Sequence, residues 1–179
     1  MNVVLREPLT VDRFLAWEDR QEARHEFDGT RIVEMTGGAR AHQIIVGNLW
    51  SVLFGALDRT RFDVIPEMRI EVGGRVRYPD VVVTAGPVEN SQKTLRDALV
   101  VFEVLSEETA QTDLGAKREE YLQIPSIQQY VLVAQDRRDV RVLQRQASGW
   151  VESRAGEEIG VAGTDVRIPL GSVYRGVLD

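Results

Sequence analysis

The stretch DALVVFEVL, residues 97–105, restricts the possible folds more than any other part of the chain. Side chains alternate across a strand, so Leu99, Val101, Glu103 and Leu105 share one face, and Val100, Phe102 and Val104 share the other. Both faces are apolar except at Glu103, the pattern of a central strand covered on each side. An ionised carboxylate in such a layer costs several kcal/mol unless a cation or hydrogen-bond donors meet it. Glu103 therefore calls for an explanation in structure or in chemistry.

The neighbouring segments supply the covering layers. In PLTVDRFLAWE, Thr10 is placed as an N-cap, and Val11, Phe14 and Leu15 fall at helical spacing. HEFDGTRIVEM predicts a hairpin turning at Asp28-Gly29. AHQIIVGNLWSVLFGALDR carries apolar residues at 45, 49, 52, 53, 56 and 57, the stripe of a longer helix. FDVIPEMRIEV and RVRYPDVVVT are two extended runs separated by Gly73 and Gly74, which predicts a second hairpin. GPVENSQKT is a loop.

Beyond residue 105, Thr109 or Thr112 can cap a helix that runs through KREEYLQ and ends before Pro125. QQYVLVA and DVRVLQR are strands, and GWVES extends the sheet through a turn at Ser148 and Gly149. DVRIPLGSVYRGVLD is expected to be loop with a short strand. The expectation is one domain over residues 1–179: an α/β fold with a mixed β-sheet flanked by helices.

Composition narrows the class. At 43% hydrophobic and 28% charged residues, with neither repeats nor low-complexity tracts, the chain reads as a folded globular protein. The absence of cysteine removes disulfides, thiolate metal sites and a cysteine nucleophile. MNVVLREPLT does not read as a signal peptide, and LVVF and YVLVA are too short to cross a bilayer, so a cytoplasmic location is expected. A net charge of -6 argues against holding nucleic acid by bulk electrostatics; any such partner must be gripped locally. Nucleotide-loop, dinucleotide, serine-hydrolase and zinc-protease motifs are missing.

Two further residues join Glu103 as candidates. Asp80, in YPDVVVT, opens another apolar strand. Adjacent carboxylates raise each other's pKa, whereas a divalent cation stabilises both as anions, and hard oxygen ligands suit Mg²⁺ or Mn²⁺. In the helix predicted through KREEYLQ, Leu114, Lys117, Arg118, Tyr121 and Leu122 form the stripe facing the sheet, which puts a lysine on the buried side. Singly, each residue has a plain structural account: a buried ion pair for Glu103 and Lys117, a strand-entry turn for Asp80. Together they tip the balance toward chemistry.

The spacing of Pro79-Asp80, Glu103-Val104-Leu105-Ser106, Thr109, Asp113, Lys117 and Tyr121 resembles the Uma-two family, endonuclease-like proteins of the PD-(D/E)XK superfamily. The likeness implies a restriction-endonuclease-like fold and metal-dependent hydrolysis of phosphodiester bonds. By that likeness Asp80, Glu103 and the backbone carbonyl of Val104 bind the metal. The superfamily's lysine usually stands two residues after the Glu. Here Leu105 holds that place, and Lys117 on the next helix is the substitute. Glu26, in HEFDG, and His42, near the start of the second helix, match recurrent family positions and are accessory candidates; a strand residue and a helix cap are the alternatives. Asp113 is spaced to hold Lys117 as an i, i+4 pair.

Arg69, Arg75 and Arg77 are candidates for phosphate contact, against the alternative of a charged edge strand. The expected partner is nucleic acid, DNA first, and a homodimer is the expected assembly because a duplex offers two strands. The competing readings are an inactive nuclease-fold scaffold and, more weakly, a metal-free glycosidase using Asp80 and Glu103 as acid and base.

Overall fold

The computed structural model describes residues 9–86, 88–106 and 113–178. The chain runs through α1 (Val11–Glu18), β1 (His25–Phe27), β2 (Ile32–Glu34), α2 (Arg40–Ala56), β3 (Phe62–Pro66), β4 (Ile70–Val72), β5 (Arg75–Arg77), β6 (Val81–Ala85) and β7 (Val100–Leu105). A π-helical turn, Asp113–Lys117, leads into α3 (Arg118–Gln123). After it come β8 (Gln129–Ala134), β9 (Val140–Gln146), β10 (Gly149–Arg154), β11 (Glu158–Gly160), β12 (Arg167–Pro169) and α4 (Leu170–Val173). Thr109 and Thr112, the two expected caps, lie outside the described residues, as do the side chains of Asp113 and Leu114.

Six strands form one mixed sheet in the order β10-β9-β8-β7-β6-β3. Only β7 and β8 run parallel within it. Parallel neighbours need a crossover, and the segment holding the π turn and α3 supplies it. That crossover carries Lys117 over the sheet.

As its sequence predicts, β7 is central, and Val100 through Val104 are all buried. Val100, Phe102 and Val104 pack with Ile45, Leu49 and Leu53 of α2. On the opposite face Val101 joins Tyr121 and Ile124 of the crossover and Ile70 and Val72 of β4. Each fully buried Val or Leu contributes about 1.5–3 kcal/mol, so these two layers fix the sheet's position.

A second sheet, β2-β1-β5-β4, lies beside the first, and this alters one expectation. Gly73 and Gly74 do make the turn, with φ of 53° and 78°, but only the inner halves of the two extended runs pair across it, as β4 and β5. The outer halves, β3 and β6, pair in the six-stranded sheet. Both runs change sheets at a proline, Pro66 and Pro79, where the missing N–H interrupts a ladder. Glu67, with φ of 49°, takes the bend, and its N–H donates to the Asp80 carbonyl at 3.1 Å. Asp80 is thereby anchored at the seam between the sheets.

The C-terminal segment is more ordered than expected. β11 and β12 form a hairpin, and Ile159, Ile168, Leu170, Val173 and Tyr174 are buried in the α2-side core. Elements of three or four residues are too short for a periodic signal to show. No helix among the described residues is long and apolar enough to cross a membrane.

Candidate active site

The antiparallel register of β6 on β7 pairs Val81 with Phe102 and Val82 with Val101. Continued by one step, it sets Asp80 opposite Glu103 on the face that looks toward α3. An Asp80 carboxylate oxygen, Oδ2, accepts the Val104 N–H at 2.6 Å, while Oδ1 lies 3.3 Å from His42 Nε2. Glu103 is only 3% exposed. Its Oε1 accepts a hydrogen bond from the Tyr121 hydroxyl at 3.2 Å and lies 3.7 Å from Lys117 Nζ.

Burial first, and then the nearby Glu103 charge, push the Tyr121 phenol well above its usual range, so it stays protonated and donates. Lys117 follows the expected stripe: it and Tyr121 are both buried beneath the crossover. Its ammonium is shared, because Nζ also lies 3.1 Å from Glu26 Oε1.

Behind Glu26 stands a buried cation. Arg77 donates to Glu26 Oε2 at 3.1 Å and to both oxygens of Glu120 at 2.7 and 2.8 Å. Burial would lower the Arg77 guanidinium, but the Glu120 hydrogen bonds and the charges of Glu26 and Glu120 hold it above its ordinary value. Glu26 also accepts the Tyr78 N–H at 3.2 Å. Across this network Glu26, Glu103, Glu120 and Asp80 face Arg75, Arg77 and Lys117.

Asp80, Glu103, Val104, Lys117 and His42 open on one cavity of about 500 Å³. Its rim includes Gly37 and Gly38, which lead into α2. Gly38 lies so close to His42 that an added Cβ would stand 2.6 Å from the ring's Nδ1. Three separated segments named from the sequence thus converge, with His42 beside them and Glu26 one contact behind.

The three arginines do something else. Arg69, 6% exposed, pairs with Glu18 and, at 2.9 Å, with Asp19, and donates to Thr94 Oγ1 at 2.8 Å. Arg77 is committed to Glu26 and Glu120, while Arg75 lies 3.2 Å from Glu120 and donates to the Asp28 carbonyl. None of the three lines the cavity; Arg69 and Arg77 are buried guanidiniums already held by carboxylates, which does not fit the phosphate-contact role expected of them, and Arg75, its side chain 39% exposed, lies away from the cavity. The arginines that do line it, Arg137 and Arg141, were missed. Their placement depends on strand register, which a single sequence does not display. Glu120, the acid that fixes Arg77, was missed as well, though its place one residue before the core-facing Tyr121 was visible.

A mixed sheet flanked by helices, with a carboxylate-lined cavity at the end of its central antiparallel pair, defines a restriction-endonuclease-like α/β fold. A crystal structure of "a putative nuclease belonging to DUF820" from Anabaena variabilis shares it, with a TM-score of 0.80 at 20% identity over 96% of this chain and 100% of that one. The Uma2 family model, described as "Putative restriction endonuclease", matches residues 11–166, and the chain belongs to that family. Two relatives come from Synechocystis. The uncharacterized protein slr1290 is 27% identical over 176 residues, covering 94% of this chain and 93% of its own. The uncharacterized protein sll1609 is 28% identical over 141 residues, covering 75% and 80%.

Proposed function

We propose that this chain is a divalent-metal-dependent endonuclease that hydrolyses phosphodiester bonds of nucleic acid, DNA first. The observation that carries the reading is the convergence of Asp80, Glu103 and Lys117, from three separate segments, on one cavity. Family membership supports the same direction.

The donors suit a hard divalent cation. No group of three or more His, Cys, Asp or Glu residues among the described ones could hold a metal, so side chains alone do not make a closed cage. Asp80 and Glu103, with the Val104 backbone carbonyl, make the all-oxygen set that Mg²⁺ or Mn²⁺ accepts when water fills the remaining positions. When bound, the ion polarises a phosphate oxygen and lowers the pKa of water in its shell.

The protein's own groups do the positioning. Tyr121 fixes the Glu103 carboxylate, and the Val104 N–H with His42 fixes that of Asp80. Lys117, gripped by Glu26, presents its ammonium where it can orient the attacking water and offset negative charge growing on the phosphate. Water adds to phosphorus and gives up a proton to solvent, the ester P–O bond breaks, and the leaving oxygen takes a proton from solvent. Cutting both strands of a duplex would call for two copies of the chain.

Calorimetric Mn²⁺ titration, followed by cleavage of mixed nucleic acids, tests the reading with Glu103→Gln as control. Native protein should bind the ion and cut, and the variant should lose on the order of 10²–10³ in rate. Absence of Mn²⁺ binding by the native chain, or equal binding by the variant, would identify an inactive scaffold on the same fold.

A further inference from the structure

The cross-strand register extends the site in one direction. Glu103 of β7 pairs with Leu132 of β8, Leu132 pairs with Arg141 of β9, and Arg141 pairs with Arg154 of β10. Directly paired residues project from the same face of a sheet. Glu103 and Arg141 therefore stand on the same face, two strand spacings or about 10 Å apart along the sheet. Leu132 lies between them, and all three line the cavity.

Arg141 differs from the other cation on that wall. Arg137, 60% exposed, lies between Asp136 at 3.1 Å and Asp139 at 3.7 Å. Arg141 is 31% exposed, and its pairing is loose: Glu152 Oε1 lies 4.0 Å away, while the other Glu152 oxygen is 3.0 Å from Arg118. A guanidinium held this weakly can turn to a stronger anion without leaving a carboxylate stranded, because Arg118 keeps Glu152 neutralised.

We infer that Arg141 is a substrate-binding residue. It takes a backbone phosphate a short distance along the strand from the one presented to Asp80 and Glu103. This rests on the nuclease reading and adds a polarity to it. The substrate strand lies along the Glu103–Leu132–Arg141 row, with its scissile phosphate at the carboxylate end and a flanking phosphate at the guanidinium end. The ligand is then a chain of at least two phosphates, gripped through its backbone rather than its bases, so the contact carries no sequence preference.

Steady-state cleavage of labelled single-stranded oligonucleotides in Mn²⁺, over a series of salt concentrations, tests this. Arg141→Gln should raise KM about tenfold, equally for oligonucleotides of different sequence, and flatten the salt dependence of kcat/KM by about 0.7 in log–log slope, the loss of one phosphate contact. Arg141→Lys, which keeps the charge, should keep the native slope, and Arg141→Glu, which repels a phosphate, should raise KM further than Arg141→Gln; urea unfolding of each variant separates loss of the contact from loss of the fold. Arg59→Gln, outside the cavity, should change neither quantity. Native KM and slope in Arg141→Gln would overturn the contact while leaving the nuclease reading standing. A native chain that cuts no nucleic acid would overturn both.

Discussion

Lys117 and Glu26 form a 3.1 Å ion pair in which each side chain is only 10% exposed. The pair joins the π turn to β1, two segments with no sequence proximity, and it keeps a long flexible side chain from swinging into water. A buried pair is costly to break from one side, because the remaining charge loses its nearest counter-charge in a place water does not reach.

Glu26→Gln should therefore destabilise the fold by about 3 kcal/mol, and Lys117→Met by a similar amount. The double variant should lose clearly less than the sum, since the two single variants remove the same 3.1 Å contact. Urea unfolding of the four proteins measures the coupling. Strict additivity would mean that Glu26 does not hold Lys117.

Gly38 and His42 give a second test. An added Cβ at position 38 would stand 2.6 Å from Nδ1 and 2.8 Å from Cγ of the His42 ring, so the ring or the loop must move. His42 in turn lies 3.3 Å from Asp80. Gly38→Ala should lower cleavage about tenfold by disturbing that contact, with a stability change of about 1 kcal/mol or less. In a His42→Ala background the obstructing ring is gone, and adding Gly38→Ala should cost almost nothing further. An equal cost in both backgrounds, read from cleavage rates, would remove His42 from the explanation.

Buried phenols make the stability of the fold depend on pH in the alkaline range. Burial comes first among the causes that raise the Tyr78, Tyr121 and Tyr174 phenols above the ordinary value of 10.0. Tyr174 is pushed up to about 12. A raised phenol means that the folded chain resists an ionisation the unfolded chain undergoes freely. The stability it supports is thus complete below pH 10 and is lost as pH climbs from there through the folded-state value. Urea unfolding at rising pH should show a falling free energy above pH 10, and Tyr174→Phe should lessen the fall between 10 and about 12. A flat profile in the native protein would contradict the burial argument.

The parts of this structure that were legible in the sequence are those decided locally. Thr10 accepts the Arg13 N–H as the N-cap of α1, and Asp28 accepts the Thr30 and Arg31 N–H groups in the first hairpin turn. The two-faced apolar run of β7 and the Lys117–Tyr121 stripe are likewise set by spacing alone. What was not legible depends on which strand meets which. The two extended runs looked like one hairpin because their prolines mark an interruption without saying that the chain crosses to another sheet. Arg69 and Arg77 looked like surface cations because their carboxylate partners, Glu18, Glu26 and Glu120, come from distant segments. Arg141 drew no notice for the same reason: its relation to Glu103 exists only through β8.

Leu105 and Lys117 offer the sharpest test of how this site is built. In the superfamily that the motif run resembles, the lysine usually stands where Leu105 is, two residues after the Glu. Position 105 shares the face of Glu103 by strand alternation, is half-buried, and lines the same cavity as Lys117. A lysine placed there could reach the carboxylates from the strand instead of from the crossover. Lys117→Leu alone should reduce cleavage on the order of 10²–10³. Leu105→Lys combined with Lys117→Leu should recover at least about tenfold of that loss, since the cavity again holds an ammonium beside Glu103. The recovered protein should still be less stable than the native one, because Glu26 has lost its partner and keeps only Arg77 and the Tyr78 N–H. Cleavage rates and urea unfolding of the three proteins separate the two effects. If the double variant cuts no better than Lys117→Leu, the ammonium acts only from the position that Glu26 enforces, and the two lysine sites are not interchangeable.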